Sequence, residues 1–177
     1  MMSIPKANLI KERFVQHDFE KCGTHCITLG KPERTPFLIP VLHNSSPTCF
    51  NTPFPVNGEI YKVTAMSFET PHGAVFVEDV DSVDVPRLGH ALGTHPLFPK
   101  GASIVFIQKI NNENVKVRVW QNGKGEVSFS REAVGVAGTT AILFCRLVID
   151  NVNVCMNGKN FFVNRNNNKE INIFYEE

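Results

Sequence analysis

The stretch REAVGVAGTTAILFCRL, residues 131–147, decides the fold of this chain. Ten of its seventeen residues are apolar, and its only charges are Arg131, Glu132 and Arg146. The apolar residues cover almost its whole circumference, which is typical of a helix that is buried on all sides. Segments rich in Val, Ile and Phe precede and follow it. A β-sheet wrapped around one hydrophobic central helix is therefore the economical arrangement.

The flanking segments have the alternation and the Val, Ile and Phe content of β-strands. Pro40 restricts one of them to a sheet edge, because proline lacks the N–H that a central strand donates. Asp84 and Pro86 mark the start of a short helix. We predict strands at 24–29, 37–42, 59–67, 73–80, 102–109, 115–120, 126–130, 148–156, 159–163 and 171–175, a helix at 84–92, and a surface loop at 43–55.

The length of 177 residues suits one globular domain with a sizeable core. We expect an N-terminal arm or short helix at 1–23 and a single domain at 24–177. The net charge of +1 excludes the broad basic surface of a general nucleic-acid binder. No stretch approaches the roughly 20 apolar residues that span a bilayer, so we also expect no membrane association.

The first 14 residues contain no apolar core of a signal peptide. The five cysteines are an odd number and are scattered along the chain. Both observations indicate a cytoplasmic protein with reduced thiols.

Metal-ligating residue types cluster at Cys22, His25 and Cys26. Zinc takes four ligands, and the spare candidates are His17, His43 and Cys49. Because the chain has no second C-x-x-C pair, we interpret this segment as a first strand with reduced cysteines. We expect neither a metal nor a cofactor.

The later part of the chain resembles the C-terminal domain of diaminopimelate epimerase in an ordered series of segments. These are VNGEIYKVTAMSFETPHGAVFVEDVDSVDVPRLGHAL at 56–92, HPLFP at 95–99 followed by 102–108, and VKVRVWQNGKGE at 115–126. The segments LGKP at 29–32 and IPV at 39–41 resemble the entry into the same domain. The resemblance covers residues 24–177. It implies an α+β fold, in which a mixed or antiparallel sheet is wrapped as a barrel around the apolar helix.

The resemblance also implies a type of chemistry. In the family, two such domains face each other and each contributes a cysteine. One thiolate removes the α-proton of an amino acid, and the other thiol returns a proton to the opposite face. The substrate carboxylate lies at helix N-termini, where free N–H groups and the helix dipole favour an anion.

This sequence departs from the family pattern at nearly every position of that site. Ser130 stands at the position of the cysteine, and Arg131-Glu132-Ala133 replaces the Gly-Thr-Gly that follows it. Gln121-Asn122 replaces a Glu-Arg pair that fixes the substrate. The resemblance maps the family's substrate pocket onto Thr70, His72, Ser103, Gln121, Asn122, Ser130 and Arg131.

Three residues are candidates for catalysis, and each also has a structural interpretation. His72, which matches the family, is otherwise a hydrogen-bonded histidine that braces the start of a strand. Ser130 is otherwise the N-cap of the apolar helix, a position that serine favours. Glu132, or alternatively Glu69, is a carboxylate base if the chain is active. Otherwise Glu69 is a surface charge, and Glu132 places a negative charge where the family binds a carboxylate.

We therefore expect a degenerate, non-catalytic relative of diaminopimelate epimerase, with the question of enzymatic activity left open. Such a pseudoenzyme would act as a binding or structural module, as a homodimer, with a small carboxylate or an amino acid as its ligand. The alternative is a cofactor-independent isomerase that acts on a small carboxylate or an amino-acid-like substrate with a base other than cysteine. A third alternative is a protein-interaction module that uses the proline-rich segment 31–58.

Overall fold

The computed structural model describes residues 24–145 and 150–176. The expected N-terminal arm at 1–23 and the last two residues of the predicted helix at 131–147 lie outside these ranges. Ten strands and two α-helices are present in the described part of the chain. They are β1 Thr24–Gly30, β2 Thr52–Val56, β3 Glu59–Ser67, β4 Pro71–Phe76, α1 Val85–Gly93, β5 Ser103–Lys109, β6 Asn114–Gln121, β7 Gly125–Val127, α2 Arg131–Cys145, β8 Asn151–Met156, β9 Lys159–Arg165 and β10 Ile171–Glu176.

All ten strands form one sheet, in the order β1-β10-β9-β8-β6-β5-β4-β3-β2, with β7 paired to β6 outside this path. The β4–β5 and β6–β8 pairs are parallel and the others are antiparallel. The mixed sheet of the predicted α+β fold is therefore confirmed.

The sheet is not closed into the expected barrel within the described residues, because β1 and β2 end the path at opposite edges. Two prolines, Pro53 and Pro55, lie in β2. Because proline has no backbone N–H, β2 lacks hydrogen-bond donors for a second neighbouring strand and suits an edge position.

The central helix α2 confirms the prediction made from the apolar stretch. Residues 133–142 are buried. The helix packs mainly against β8 and β9, and also against β1, β3, β4, β5, β6 and β10. A Cβ atom added to Gly138 would lie 2.5 Å from Val163 Cγ1, so the glycine lets the helix approach β9 closely. Burial does not extend to the last turn, where Leu143 is half-buried and Phe144 is 44% exposed.

The opposite face of the sheet carries a second apolar cluster beneath α1. Trp120 of β6 fills the space that Gly89 and Gly93 leave on that helix. Asp84 caps the helix by accepting a hydrogen bond from the N–H of Arg87, as the Asp84–Pro86 signal predicts.

The predicted edge strand at 37–42 is wrong, because this segment forms hydrogen-bonded turns. The N–H of Leu38 donates to the carbonyl of Thr35, and the N–H of Val41 donates to the carbonyl of Pro36. The predicted loop at 43–55 is wrong at its end, where β2 begins at Thr52. Proline content concealed this strand, since only an edge position tolerates it.

Candidate functional site

The loop between β3 and β4 meets the first turn of α2, and the two are joined by Glu132. Its Oε2 atom accepts hydrogen bonds from the N–H groups of Glu69, at 3.2 Å, and Thr70, at 3.0 Å. The Thr70 hydroxyl lies 3.2 Å from both carboxylate oxygens, which share its single proton in a bifurcated hydrogen bond. The Glu132 side chain is only 14% exposed. The Glu132 carboxylate is therefore held by hydrogen bonds to the loop and is not a free surface charge.

A second contact joins the same two segments, and here the helix supplies the hydrogen-bond donor and the loop supplies the carboxylate. Arg131 Nη2 lies 2.7 Å from Glu69 Oε1. Both side chains are largely exposed, so this ion pair contributes less than about 1 kcal/mol to stability. The ion pair instead fixes the position of the Arg131 guanidinium beside the loop, where its charge is paired with a carboxylate.

His72 lies at the start of β4, directly after this loop, and is 2% exposed. Its Nδ1 atom lies 2.9 Å from the Thr70 carbonyl oxygen. A carbonyl only accepts, so Nδ1 carries the proton and Nε2 is the basic nitrogen. This contact matches the bracing role considered for His72 from the sequence.

Burial lowers the pKa of His72, because desolvation disfavours the imidazolium. The hydrogen bond to the Thr70 carbonyl and the charge of Glu132, whose Oε2 lies 3.7 Å from Nδ1, oppose that effect without cancelling it. The imidazole is therefore neutral at pH 7 and has a carboxylate beside it.

Ser103 and Asn122 extend the cluster on the other side of His72. Ser103 is paired with His72 across the parallel β4–β5 ladder and is 4% exposed. Its hydroxyl accepts a hydrogen bond from the Asn122 N–H at 3.0 Å. Gln121 pairs with Gly125 through its backbone, and no hydrogen bond joins its side chain to the cluster in the described part of the chain.

Ser130 lies at the N-terminus of α2, as the N-cap interpretation predicts. Its hydroxyl accepts a hydrogen bond from the Ala133 N–H at 3.2 Å, and its carbonyl accepts one from the Val134 N–H at 3.1 Å. These are the bonds of a helix N-cap. One of the two lone pairs of the Ser130 hydroxyl is thus directed to the backbone of the helix.

The structure brings together three of the seven pocket residues that were mapped from the sequence, together with one further candidate for catalysis. Thr70, His72, Arg131 and Glu132 form one contact network, with Glu69 as an additional member. Sequence reasoning did not foresee that Glu132 binds the Glu69 and Thr70 amides. The available signal, an acidic residue in the first helical turn, indicates only a favourable interaction with the helix dipole.

A separate cleft of about 490 Å³ lies where the partner of β6 changes from β8 to β7. It contains two ion pairs that the sequence did not predict, Arg118–Glu126 at 2.7 Å and Lys116–Asp81 at 2.5 Å. Each charge in the cleft is matched by its partner, so the cleft presents little net charge to a ligand.

Among residues 24–145 and 150–176, no group of three or more His, Cys, Asp and Glu side chains is arranged to hold a metal ion. Cys22 and His17, two of the candidate zinc ligands considered from the sequence, lie outside these ranges. No helix in the described residues has both the length and the apolar content needed to cross a membrane.

Comparison with known proteins identifies bacterial relatives. The chain is 38% identical over 110 residues to diaminopimelate epimerase from Desulfovibrio desulfuricans, covering 59% of this chain and 38% of that protein. It is 36% identical over 120 residues to diaminopimelate epimerase from Moorella thermoacetica, covering 68% and 42%. The chain thus spans about two fifths of the length of these relatives. No family model matches it.

Two solved structures with a similar fold carry the name epimerase. A hydroxyproline epimerase from Agrobacterium vitis, with bound trans-4-hydroxy-L-proline, superposes with a TM-score of 0.58 at 12% identity, covering 91% of this chain and 52% of that one. A predicted epimerase from Pseudomonas aeruginosa gives a TM-score of 0.53 at 11% identity, covering 86% and 55%. The sequence resemblance to diaminopimelate epimerases and the epimerase-like α+β fold are both confirmed.

Proposed function

We propose that this relative of the diaminopimelate epimerases is a non-catalytic binding or structural protein. The observation that carries the proposal is the N-cap geometry of Ser130, the residue at the position of the family's cysteine. A hydroxyl is a far weaker base than a thiolate unless a neighbouring group activates it. In the described part of the chain, this hydroxyl is hydrogen-bonded to the Ala133 N–H and not to a base that could activate it.

Charges around the helix start support the same proposal. An enzyme of this family type places the substrate carboxylate at a helix N-terminus. Here the Glu132 carboxylate lies at that end of α2 and would repel a second anion. Arg131, the cation nearest to it in sequence, is paired with Glu69. Recruitment of a substrate carboxylate is therefore opposed rather than assisted.

Exchange of α-protons with solvent tests the proposal directly. The protein is incubated in D₂O with diaminopimelate and a panel of other amino acids, and the α-proton signals are followed by NMR. We expect no protein-dependent loss of signal, because an α-proton is a very weak acid and its removal needs a strong, well-placed base. Exchange that disappears in Ser130→Ala or Glu132→Gln would show that the protein is an enzyme.

A cofactor-independent isomerase is the second candidate, and one observation favours it. Glu132 Oε2 lies 3.7 Å from Nδ1 of the buried His72, and a carboxylate next to a histidine of perturbed pKa is a frequent acid–base arrangement. The same exchange experiment separates the candidates. This isomerase would show exchange that is lost in Glu132→Gln and His72→Asn but retained in Ser130→Ala.

The proposal includes a homodimer, in which two copies of the chain face each other. An exposed apolar surface supports an interface. Phe37 is 87% exposed, Leu38 60% and Leu42 58%, on a segment that the buried Ile39 and Val41 anchor. This surface equally fits the interaction module considered from the proline-rich segment.

A cytoplasmic location is part of the proposal. Among the residues that the structure describes, Cys26, Cys49 and Cys155 are free thiols. Unpaired cysteines, including the exposed Cys26, fit a reducing compartment.

A further inference from the structure

The loop between β3 and β4 has the chemistry of a receptor for a carboxylate. Two consecutive backbone N–H groups, of Glu69 and Thr70, converge on one oxygen, and the Thr70 hydroxyl serves both oxygens. Converging backbone N–H groups bind anions in proteins, and bonds to an ionised acceptor are about twice as strong as neutral ones. The receptor groups belong to the loop and not to helix α2.

The group that fills this receptor comes from a different part of the chain. Glu132 follows Thr70 by 62 positions and reaches the loop from the first turn of α2. An acidic residue in a first turn is normally stabilised by its own helix. Here both carboxylate oxygens are engaged by the loop, and the side chain is 14% exposed.

His72 completes the surroundings of the bound carboxylate. Its Nδ1 atom is 3.7 Å from Glu132 Oε2, and the residue is 2% exposed. The imidazole is therefore a buried polar neighbour whose NMR signals report on the occupant of the receptor.

We propose that the Glu69–Thr70 loop is a binding site for small carboxylates that the chain fills with its own Glu132. A free monocarboxylate then takes the same place when the Glu132 side chain is withdrawn. This inference names the ligand class of the proposed binding function and rests on that function for its biological meaning.

Chemical rescue of Glu132→Ala tests the site, with sodium acetate and sodium formate as probes and sodium chloride at equal ionic strength as the reference. We expect the substitution to lower Tm, and either carboxylate to restore about 2–4 °C of the loss in a saturable manner. Chloride should have no comparable effect. The His72 ring signals should move toward their wild-type positions on the same titration.

Two controls assign the effect to the receptor. Wild type should gain nothing specific from acetate, because Glu132 already occupies the site. Glu132→Ala/Thr70→Val, which lacks the hydroxyl donor, should need several-fold more acetate than Glu132→Ala. An equal response of all variants to acetate, or an equal response of Glu132→Ala to acetate and chloride, would overturn the proposal.

If Glu132→Ala does not fold in chloride, Glu132→Ser carries the test, since it also removes the carboxylate but leaves a small polar side chain. Absence of a carboxylate-specific rise in Tm in the variants that fold, or of carboxylate-dependent folding in those that do not, contradicts the proposal. The result is independent of catalysis. α-Proton exchange by the wild type would contradict the proposed non-catalytic function but not the carboxylate site. Failed rescue would contradict only the carboxylate site.

Discussion

Glu132 Oε2 lies 3.0 Å from the backbone N of Thr70 and accepts its hydrogen bond across 62 residues of sequence. This bond connects the central helix to the loop that precedes the buried His72. It occurs at the end of the helix where relatives of this chain are expected to receive a substrate carboxylate. The relationship therefore links the stability of the fold to the proposed loss of catalysis.

Ser130→Ala should destabilise the protein by about 1 kcal/mol, because it removes the acceptor for the Ala133 N–H at the start of α2. Urea unfolding measures the change. Ser130→Asn, which keeps an N-cap acceptor, should retain nearly the wild-type stability. A Ser130→Ala variant as stable as wild type would contradict the N-cap assignment and leave the hydroxyl free for another role.

Val136→Asp should prevent folding. Val136 is 0% exposed on α2, and an unpaired buried carboxylate costs several kcal/mol. Leu143→Asp on the same helix is the matched control and should be milder, because Leu143 is half-buried. Circular dichroism and thermal unfolding compare the two. Equal losses in both variants would show that the helix is enclosed more evenly than the structure indicates.

Gly138→Ala should cost about 1–3 kcal/mol, because the added methyl group would lie 2.5 Å from Val163 Cγ1. Combining it with Val163→Ala should recover part of the loss, since the smaller partner makes room. A double-mutant cycle from denaturant unfolding gives the coupling energy. Simple additivity of the two losses would mean that the helix and β9 move apart instead of competing for one space.

The stability of the protein should fall as the pH decreases below about 6.5, in part because of His72. Burial lowers its pKa in the folded state, so the unfolded chain binds a proton first as the pH falls. The contribution is fully present above the unfolded pKa and is lost between it and the folded pKa. His72→Asn should reduce the slope of unfolding free energy against pH between 7.5 and 5.5. An unchanged slope would assign the pH dependence to other groups.

In solution, the protein should be a dimer, with a mass twice the 19.8 kDa of the chain. Size exclusion with light scattering measures it. Phe37→Ser/Leu38→Ser should weaken the dimer with little change in monomer stability, since both side chains are more than half exposed. Ile60→Ser, at a 66% exposed position on β3, is the matched control. A strictly monomeric mass at high concentration would count against the homodimer.

The sequence alone determined the elements whose signals are local. The apolar circumference of residues 131–147 predicted α2, and strand periodicity predicted most of the sheet, because side-chain burial follows a period of 3.6 in helices and 2 in strands. Ser130 as an N-cap also followed from neighbouring residues. Local signals failed at β2, where Pro53 and Pro55 read as loop, and at 37–42, where hydrogen-bonded turns replace the expected edge strand.

Only the tertiary structure decided which distant groups meet. The open edges of the sheet, the half-exposed last turn of α2 and the bond of Glu132 to the Thr70 amide depend on how strands and helix pack together. No short-range pattern marks a backbone N–H as the partner of a carboxylate 62 residues away, since every residue except proline carries the same donor. The receptor for that carboxylate exists only once the loop and the helix start are held side by side.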